Sequence, residues 1–87
     1  MQYQDTKDFR KELSGLPLAI QVQIIAALDK IEQAETFADI PHLKAMKGSP
    51  QYYRIRAGNY RIGLYWTGNF FYLQRVGVRG NFYKKFP

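Results

Sequence analysis

Apolar residues recur along this chain with two different periods, and the change falls near Glu35. Before it the spacing is helical. Phe9 and Leu13 stand four apart in a first segment that Asp5 or Thr6 can cap, with Gly15 placed as its left-handed stop. Pro17 suits the first turn of a second helix. Down that helix Ile20, Ile24, Leu28 and Ile31 recur, with Val22, Ile25 and Ala27 widening the apolar stripe. The link Ser14–Leu16 is short, so the two helices are expected as antiparallel neighbours. Their exposed part is a candidate docking surface, although scaffold is the simpler reading. Ahead of them, Tyr3 between polar residues marks a short first strand within Met1–Gln4.

After Glu35 the period falls towards two. Pro41, Gly48 and Pro50 make Ile40–Pro50 read mostly as loop. Three runs rich in aromatic and β-branched residues follow: Tyr52–Ala57, Tyr60–Trp66 and Phe70–Val78. Gly58-Asn59 and Gly68-Asn69 supply the turns between them. The pattern predicts one α+β domain spanning residues 1–87, a helical hairpin packed on a small antiparallel sheet.

A two-residue turn at Gly58-Asn59 fixes the register of the first hairpin. Tyr53, Ile55, Ile62 and Leu64 fall on one face, a plausible core. Tyr52, Arg54, Arg56, Arg61 and Tyr65 fall on the other, expected to be open. Arg56 then stands opposite Arg61, an arrangement that costs stability unless an anion sits between them. In the third strand, a two-residue turn at Gly68-Asn69 would drive Arg75 and Arg79 into the core. A three-residue loop Thr67–Asn69, or a bulge near Gly77, returns both to the basic face, and one of these devices is expected because buried unpaired guanidiniums are expensive.

Charge is divided as sharply as hydropathy. Residues 1–39 carry four cations against seven acids, a net of −3; residues 40–87 carry nine cations and no acid, giving +9. A field this one-sided fits an anionic partner, polyphosphate first. There is no cysteine, hence no disulfide and no thiolate metal site. Neither a leader nor a membrane-length apolar run is present, so a cytosolic protein without membrane association is the default expectation. No metal or other cofactor is implied. The single histidine, His42, invites an acid/base role by its chemistry, but a loop histidine without a partner is usually incidental. Of the aromatics, Tyr52, Tyr65, Trp66, Phe70, Phe71 and Tyr72 read as core or sheet cover before base-stacking surfaces. Phe82 and Phe86 are placed to pack back on the sheet or to line a groove for a partner.

Three stretches together carry a family resemblance: Leu43-Lys-Ala-Met-Lys-Gly-Ser, then Tyr53-Arg-Ile-Arg-Ala-Gly-Asn-Tyr-Arg-Ile, then Arg75-Val-Gly-Val-Arg79 with Tyr83 beyond. This combination, in a helix–helix–sheet order, resembles the RelE/ParE superfamily of toxins from type II toxin–antitoxin pairs, over essentially the whole chain. RelE-like members are small endoribonucleases that cut messenger RNA on the ribosome; ParE-like members poison DNA gyrase and lack the nuclease residues. The resemblance implies basic site residues at Arg54 and Arg56, arginines at Arg61 and Arg79, and a tyrosine at Tyr83. It also implies a cognate antitoxin and contacts with messenger and ribosomal RNA. Lys44, Lys47, Arg75, Lys84 and Lys85 are further candidates for RNA or ribosome binding. Departures from the pattern are Val78, where many relatives carry histidine, arginine in place of lysine at 54 and 56, and an end at Pro87 that leaves no room for a substantial C-terminal helix.

Such residues suit metal-independent cleavage, in which the RNA's own 2′-hydroxyl attacks the adjacent phosphate. Arginines give that phosphate planar, bidentate donors but are poor bases. The expected division of labour has Arg54, Arg56 and Arg61 clamping the phosphate and Arg79 stabilising the leaving oxygen. Tyr83 orients or deprotonates the nucleophile. The competing expectations are a gyrase inhibitor without catalysis and a toxin homologue that retains only nucleic-acid binding.

Overall fold

The chain starts as a strand and turns into helix at Thr6, whose hydroxyl accepts the Phe9 N–H at 3.2 Å and donates to the Leu73 carbonyl at 2.8 Å. A computed structural model describes all residues, 1–87. Its elements are β1 (Tyr3–Asp5), α1 (Lys7–Ser14), α2 (Leu18–Gln33), a 3-10 turn (Phe37–Asp39), β2 (Leu43–Ala45), β3 (Tyr52–Ala57), β4 (Tyr60–Trp66), β5 (Phe71–Val78) and α3 (Arg79–Lys85). Gly15 ends α1, but at φ −84°, so the left-handed stop expected there is absent; its N–H bonds the Glu12 carbonyl at 3.2 Å instead. Pro17 stands one position earlier than expected, as the residue that caps α2. At the other end of α2, the Met1 ammonium donates to the carbonyls of Ile31, Glu32 and Ala34. A cation is favourable there because the helix dipole is negative at that end.

The sheet has five strands in the order β1-β5-β4-β3-β2, with β1 parallel to β5 and the other pairs antiparallel. Ile40–Pro50 is mostly loop, as expected, but within it β2 pairs Leu43, Lys44 and Ala45 with Ile55, Arg54 and Tyr53. One sheet face receives Phe9 of α1 and Ile24, Leu28 and Ile31 of α2. From the sheet side come Ile55, Ile62, Leu64, Phe71, Leu73 and Val76, all buried. Phe37 closes one end, its ring 5.1 Å from Tyr53, 5.0 Å from Trp66 and 5.3 Å from Phe71. No helix is long and apolar enough to cross a membrane.

The first hairpin has the expected register, with Ala57 opposite Tyr60, Arg56 opposite Arg61 and Ile55 opposite Ile62. In the second, Trp66 pairs with Phe71 and Leu64 with Leu73, but Gly63 pairs with Arg75. The extra residue is Gln74, so parity is restored by a bulge opposite Gly63/Leu64 rather than near Gly77.

The second face is not open as expected. α3, a short helix of seven residues, lies across it. Phe82 and Phe86 are buried, and the Phe86 ring fills the place above Gly63 where a Cβ would come within 2.6 Å of it. α3 starts beside the β3–β4 turn and runs back over the sheet, and Arg56, Arg61 and Arg79 gather around that turn.

Candidate nucleic-acid interface

Three arginines reach one sheet face because β3 and β4 alternate there, yet their charged ends are not stacked together. Arg56 and Arg61 are cross-strand partners and separate by turning opposite ways. The Arg61 side chain folds back along its own hairpin and Nη1 donates to the Gly58 and Tyr60 carbonyls, each at 2.9 Å. Arg61 is only 8% exposed, and its Nε has no partner. Arg56 turns towards the loop before β2, placing Nη2 3.2 Å from His42 Nδ1. Arg54 follows it, with Nη1 donating to the His42 carbonyl at 3.3 Å. Like-charge repulsion across the ladder is thus relieved by sending each head to a different neutral acceptor.

Arg79 joins from the far end of the chain. It is the first residue of α3, and its N–H donates to the Asn59 carbonyl at 3.0 Å, which pins the start of that helix to the β3–β4 turn. Arg56, Arg61 and Arg79 then line one cleft of about 710 Å³ between the turn and α2, together with Gln23, Lys30 and His42. A second recess of about 200 Å³ adjoins it, lined by His42, Leu43, Lys44, Arg54 and Arg56. Arg56 and His42 belong to both. Neither is lined by an aspartate or a glutamate.

The remaining candidates lie elsewhere. Arg75 reaches the basic face by parity but not the cleft; it sits at the β5 edge with Asp8 at 3.7 Å and Glu12 at 3.6 Å. Lys85 faces the same cluster, 4.0 Å from Glu12. Lys47 and Lys84 are exposed and line neither recess. Tyr83 is 45% exposed and lines neither recess, although at four residues beyond Arg79 it shares that residue's side of α3. Its ring packs edge-on to Phe82, with centroids 5.0 Å apart. Tyr52 lies between Tyr65 and Phe86, and Trp66 and Phe71 pack on each other. No group of three His, Cys, Asp or Glu side chains is arranged to hold a metal ion.

Sequence reasoning passed over Gln23 and Lys30, read Asn59 only as a turn residue, and set His42 aside as a loop histidine without a partner. Gln23 packs over Gly58, whose φ is +59°; a Cβ there would meet Gln23 Nε2 at 2.6 Å. Nothing in the helical pattern singles Gln23 or Lys30 out, since α2 presents many polar positions. His42 did carry a signal, as the one histidine before a basic strand, but its partner lies 14 residues away.

Comparison with known proteins gives a consistent result. Toxin RelE3 of Methanocaldococcus jannaschii is 35% identical over 82 residues, 93% of this chain and 93% of that protein. Among solved structures, the RelB–RelE antitoxin–toxin complex from Methanococcus jannaschii has a chain that matches with a TM-score of 0.79 and 32% identity, covering 95% of this chain and 98% of that one. The archaeal RelE–RelB complex from Pyrococcus horikoshii OT3 matches with a TM-score of 0.70 at 22% identity, covering 90% and 93%, a likeness of fold. No family model matches the sequence.

Proposed function

The chain belongs to the RelE family of toxins, and from that premise we propose that it is a ribosome-dependent messenger RNA endonuclease held in check by a cognate antitoxin. The observation that carries the reading is the run of Arg54, Arg56, Arg61 and Arg79 around two adjoining recesses free of carboxylates. A scissile phosphodiester supplies the negative charge such a surface lacks.

In the proposed reaction the 2′-oxygen bonds to the adjacent phosphorus as its proton is lost. The phosphorus–O5′ bond then breaks, leaving a 2′,3′-cyclic phosphate and a 5′-hydroxyl that has taken up a proton. Arg54 and Arg56 hold the non-bridging oxygens with the guanidinium N–H groups that their contacts with His42 leave free. Arg79 stabilises charge on the departing oxygen. Arg61 has a narrower part than the sequence alone suggests. Its Nη1 is committed to the β3–β4 turn, so it holds the turn that carries its neighbours and offers the cleft its remaining donors. Tyr83 meets the RNA where the strand continues past Arg79, to stack on a base or orient the 2′-hydroxyl.

The antitoxin proposal draws on the relatives, which were solved as complexes of RelE with RelB. This chain also leaves Leu18, Val22 and Ile25 exposed along one side of α2, next to the cleft-lining Gln23 and Ala26. An amphipathic segment that is acidic on one side would cover strip and cleft together.

A translating extract programmed with a defined messenger and a supercoiled plasmid tests the enzyme. Fragmented messenger is expected, with unaltered plasmid. Arg79→Ala at matched folding is expected to lower the cleavage rate about 10²- to 10³-fold, as when one donor to developing charge is lost. Intact messenger with altered supercoiling would replace this reading by gyrase inhibition.

A further inference from the structure

We propose that His42 is a positioning residue that holds Arg54 and Arg56 over the two recesses, and that protonation of its ring lets Arg56 go. The inference deepens the nuclease reading and rests on it for the identity of the ligand, RNA phosphate.

His42 has a left-handed backbone, φ 63°, a conformation few residues with a side chain adopt. In that conformation two of its acceptors meet β3. The carbonyl takes the Arg54 guanidinium at 3.3 Å and the Arg56 N–H at 3.4 Å. The ring meets the Arg56 guanidinium at 3.2 Å through Nδ1. A guanidinium has donors only, so Nδ1 must accept, and the single proton of the neutral ring must sit on Nε2. His42 therefore fastens two cationic side chains rather than a stretch of loop. It also stands at the wall common to both recesses.

The ring is a conditional fastener. A second proton removes the Nδ1 lone pair, and the contact with Arg56 is lost. It also adds a cation beside recesses whose charged lining residues are all cationic: Lys44 from β2, Arg54 and Arg56 from β3, Lys30 from α2, Arg61 from β4 and Arg79 from α3. Acidification would thus free Arg56 and weaken the grip on phosphate.

Two substitutions separate this role from others. His42→Asn keeps a side-chain acceptor close to the position of Nδ1, tolerates the left-handed backbone and does not titrate. His42→Gly tolerates the backbone and keeps the carbonyl that takes Arg54, but has no side-chain acceptor for Arg56. In the extract assay His42→Gly is expected to cleave about ten- to a hundredfold more slowly than wild type, as for misplaced catalytic groups, with its unfolding midpoint little changed. His42→Asn should restore most of that loss. Wild-type cleavage should fall on acidification while the Asn variant stays level. Wild-type rates in the Gly variant would overturn the proposal. So would an Asn variant as slow as Gly, which would make the ring a proton carrier. A wild type that leaves messenger intact sinks the nuclease reading instead. His42 is then decided by anisotropy of a labelled single-stranded RNA, where affinity should again fall in His42→Gly and return in His42→Asn. Equal affinity in all three proteins would overturn the proposal there too.

Discussion

A methyl group at position 63 would collide with the Phe86 ring, at 2.6 Å from two of its carbons. Gly63 is therefore what lets the C-terminal segment lie down on β4. Gly63→Ala is expected to destabilise the protein by about 1–3 kcal/mol, the usual cost of overpacking. A lower urea midpoint with an unchanged slope would show it. Trimming the ring in Phe86→Ala should remove most of the extra cost of Gly63→Ala, because the two groups contend for one space. Asp39 has a different local task. Its Oδ2 accepts the N–H groups of Thr36 at 3.1 Å and Glu35 at 3.2 Å, the Thr36 bond holding the carboxyl further below its ordinary value of 3.8 than the Glu35 bond does. Because the folded value is depressed, the stability it contributes is present above pH 3.8 and is lost as pH falls through the folded value. Asp39→Asn keeps an acceptor without a titrating proton, so melting temperature should decline less steeply with acid than in wild type.

Among the elements, α2 and the β3–β4 hairpin were legible in the sequence because each obeys one rule along its length. Ile24, Leu28 and Ile31 keep helical spacing and are buried; Tyr53, Ile55, Ile62 and Leu64 alternate as a two-residue turn requires. The parts that were not legible depend on contacts remote in sequence. β2 is three residues long and exists because β3 offers it an edge. The bulge at Gln74 was foreseen in kind but not in place, since parity alone cannot say which residue is unpaired. α3 owes its position to the burial of Phe82 and to Phe86 packing on Gly63; that the two phenylalanines could fold back on the sheet was legible, but their place on it was not. At the candidate site the residue types were legible and their hands were not. Arg61 was expected to face an open surface and instead braces a turn, while His42 has its partner on another strand. The same distinction bears on α2, where Leu18, Val22 and Ile25 belong to the helical apolar pattern but stay exposed, Leu18 at 75%. They contribute little to the core, so Val22→Lys should leave the unfolding midpoint almost unchanged. If the strip receives the antitoxin, that variant should still cleave messenger but resist neutralisation, measured by adding purified antitoxin to the extract.

The division of charge along the sequence becomes a division across the sheet. At the β5 edge, Asp8 and Glu12 are occupied by Arg75, and Glu12 also accepts the Val76 N–H at 3.3 Å. Asp5 is occupied by Arg10. Arg54 and Arg56 stand on β3, two strands further along, roughly 10 Å away at the usual strand spacing. That separation is comparable to a Debye length at physiological salt, about 8 Å, so the acids of α1 do little to offset the field over Arg54 and Arg56. Binding of single-stranded RNA should accordingly be steeply salt-dependent, with each phosphate neutralised adding about 0.7 to the slope of log affinity against log salt. Arg54→Gln, in the recess, is expected to flatten the slope by about that amount. Arg75→Gln should scarcely alter it, because Arg75 is already paired with carboxylates and its loss frees no phosphate site. A salt titration of a labelled RNA oligonucleotide followed by anisotropy distinguishes the two. Equal flattening in both variants would mean that RNA extends across the sheet to β5 and displaces Asp8 and Glu12 from Arg75. The binding surface would then be the full basic face foreseen from strand parity rather than the cleft at its β3 end.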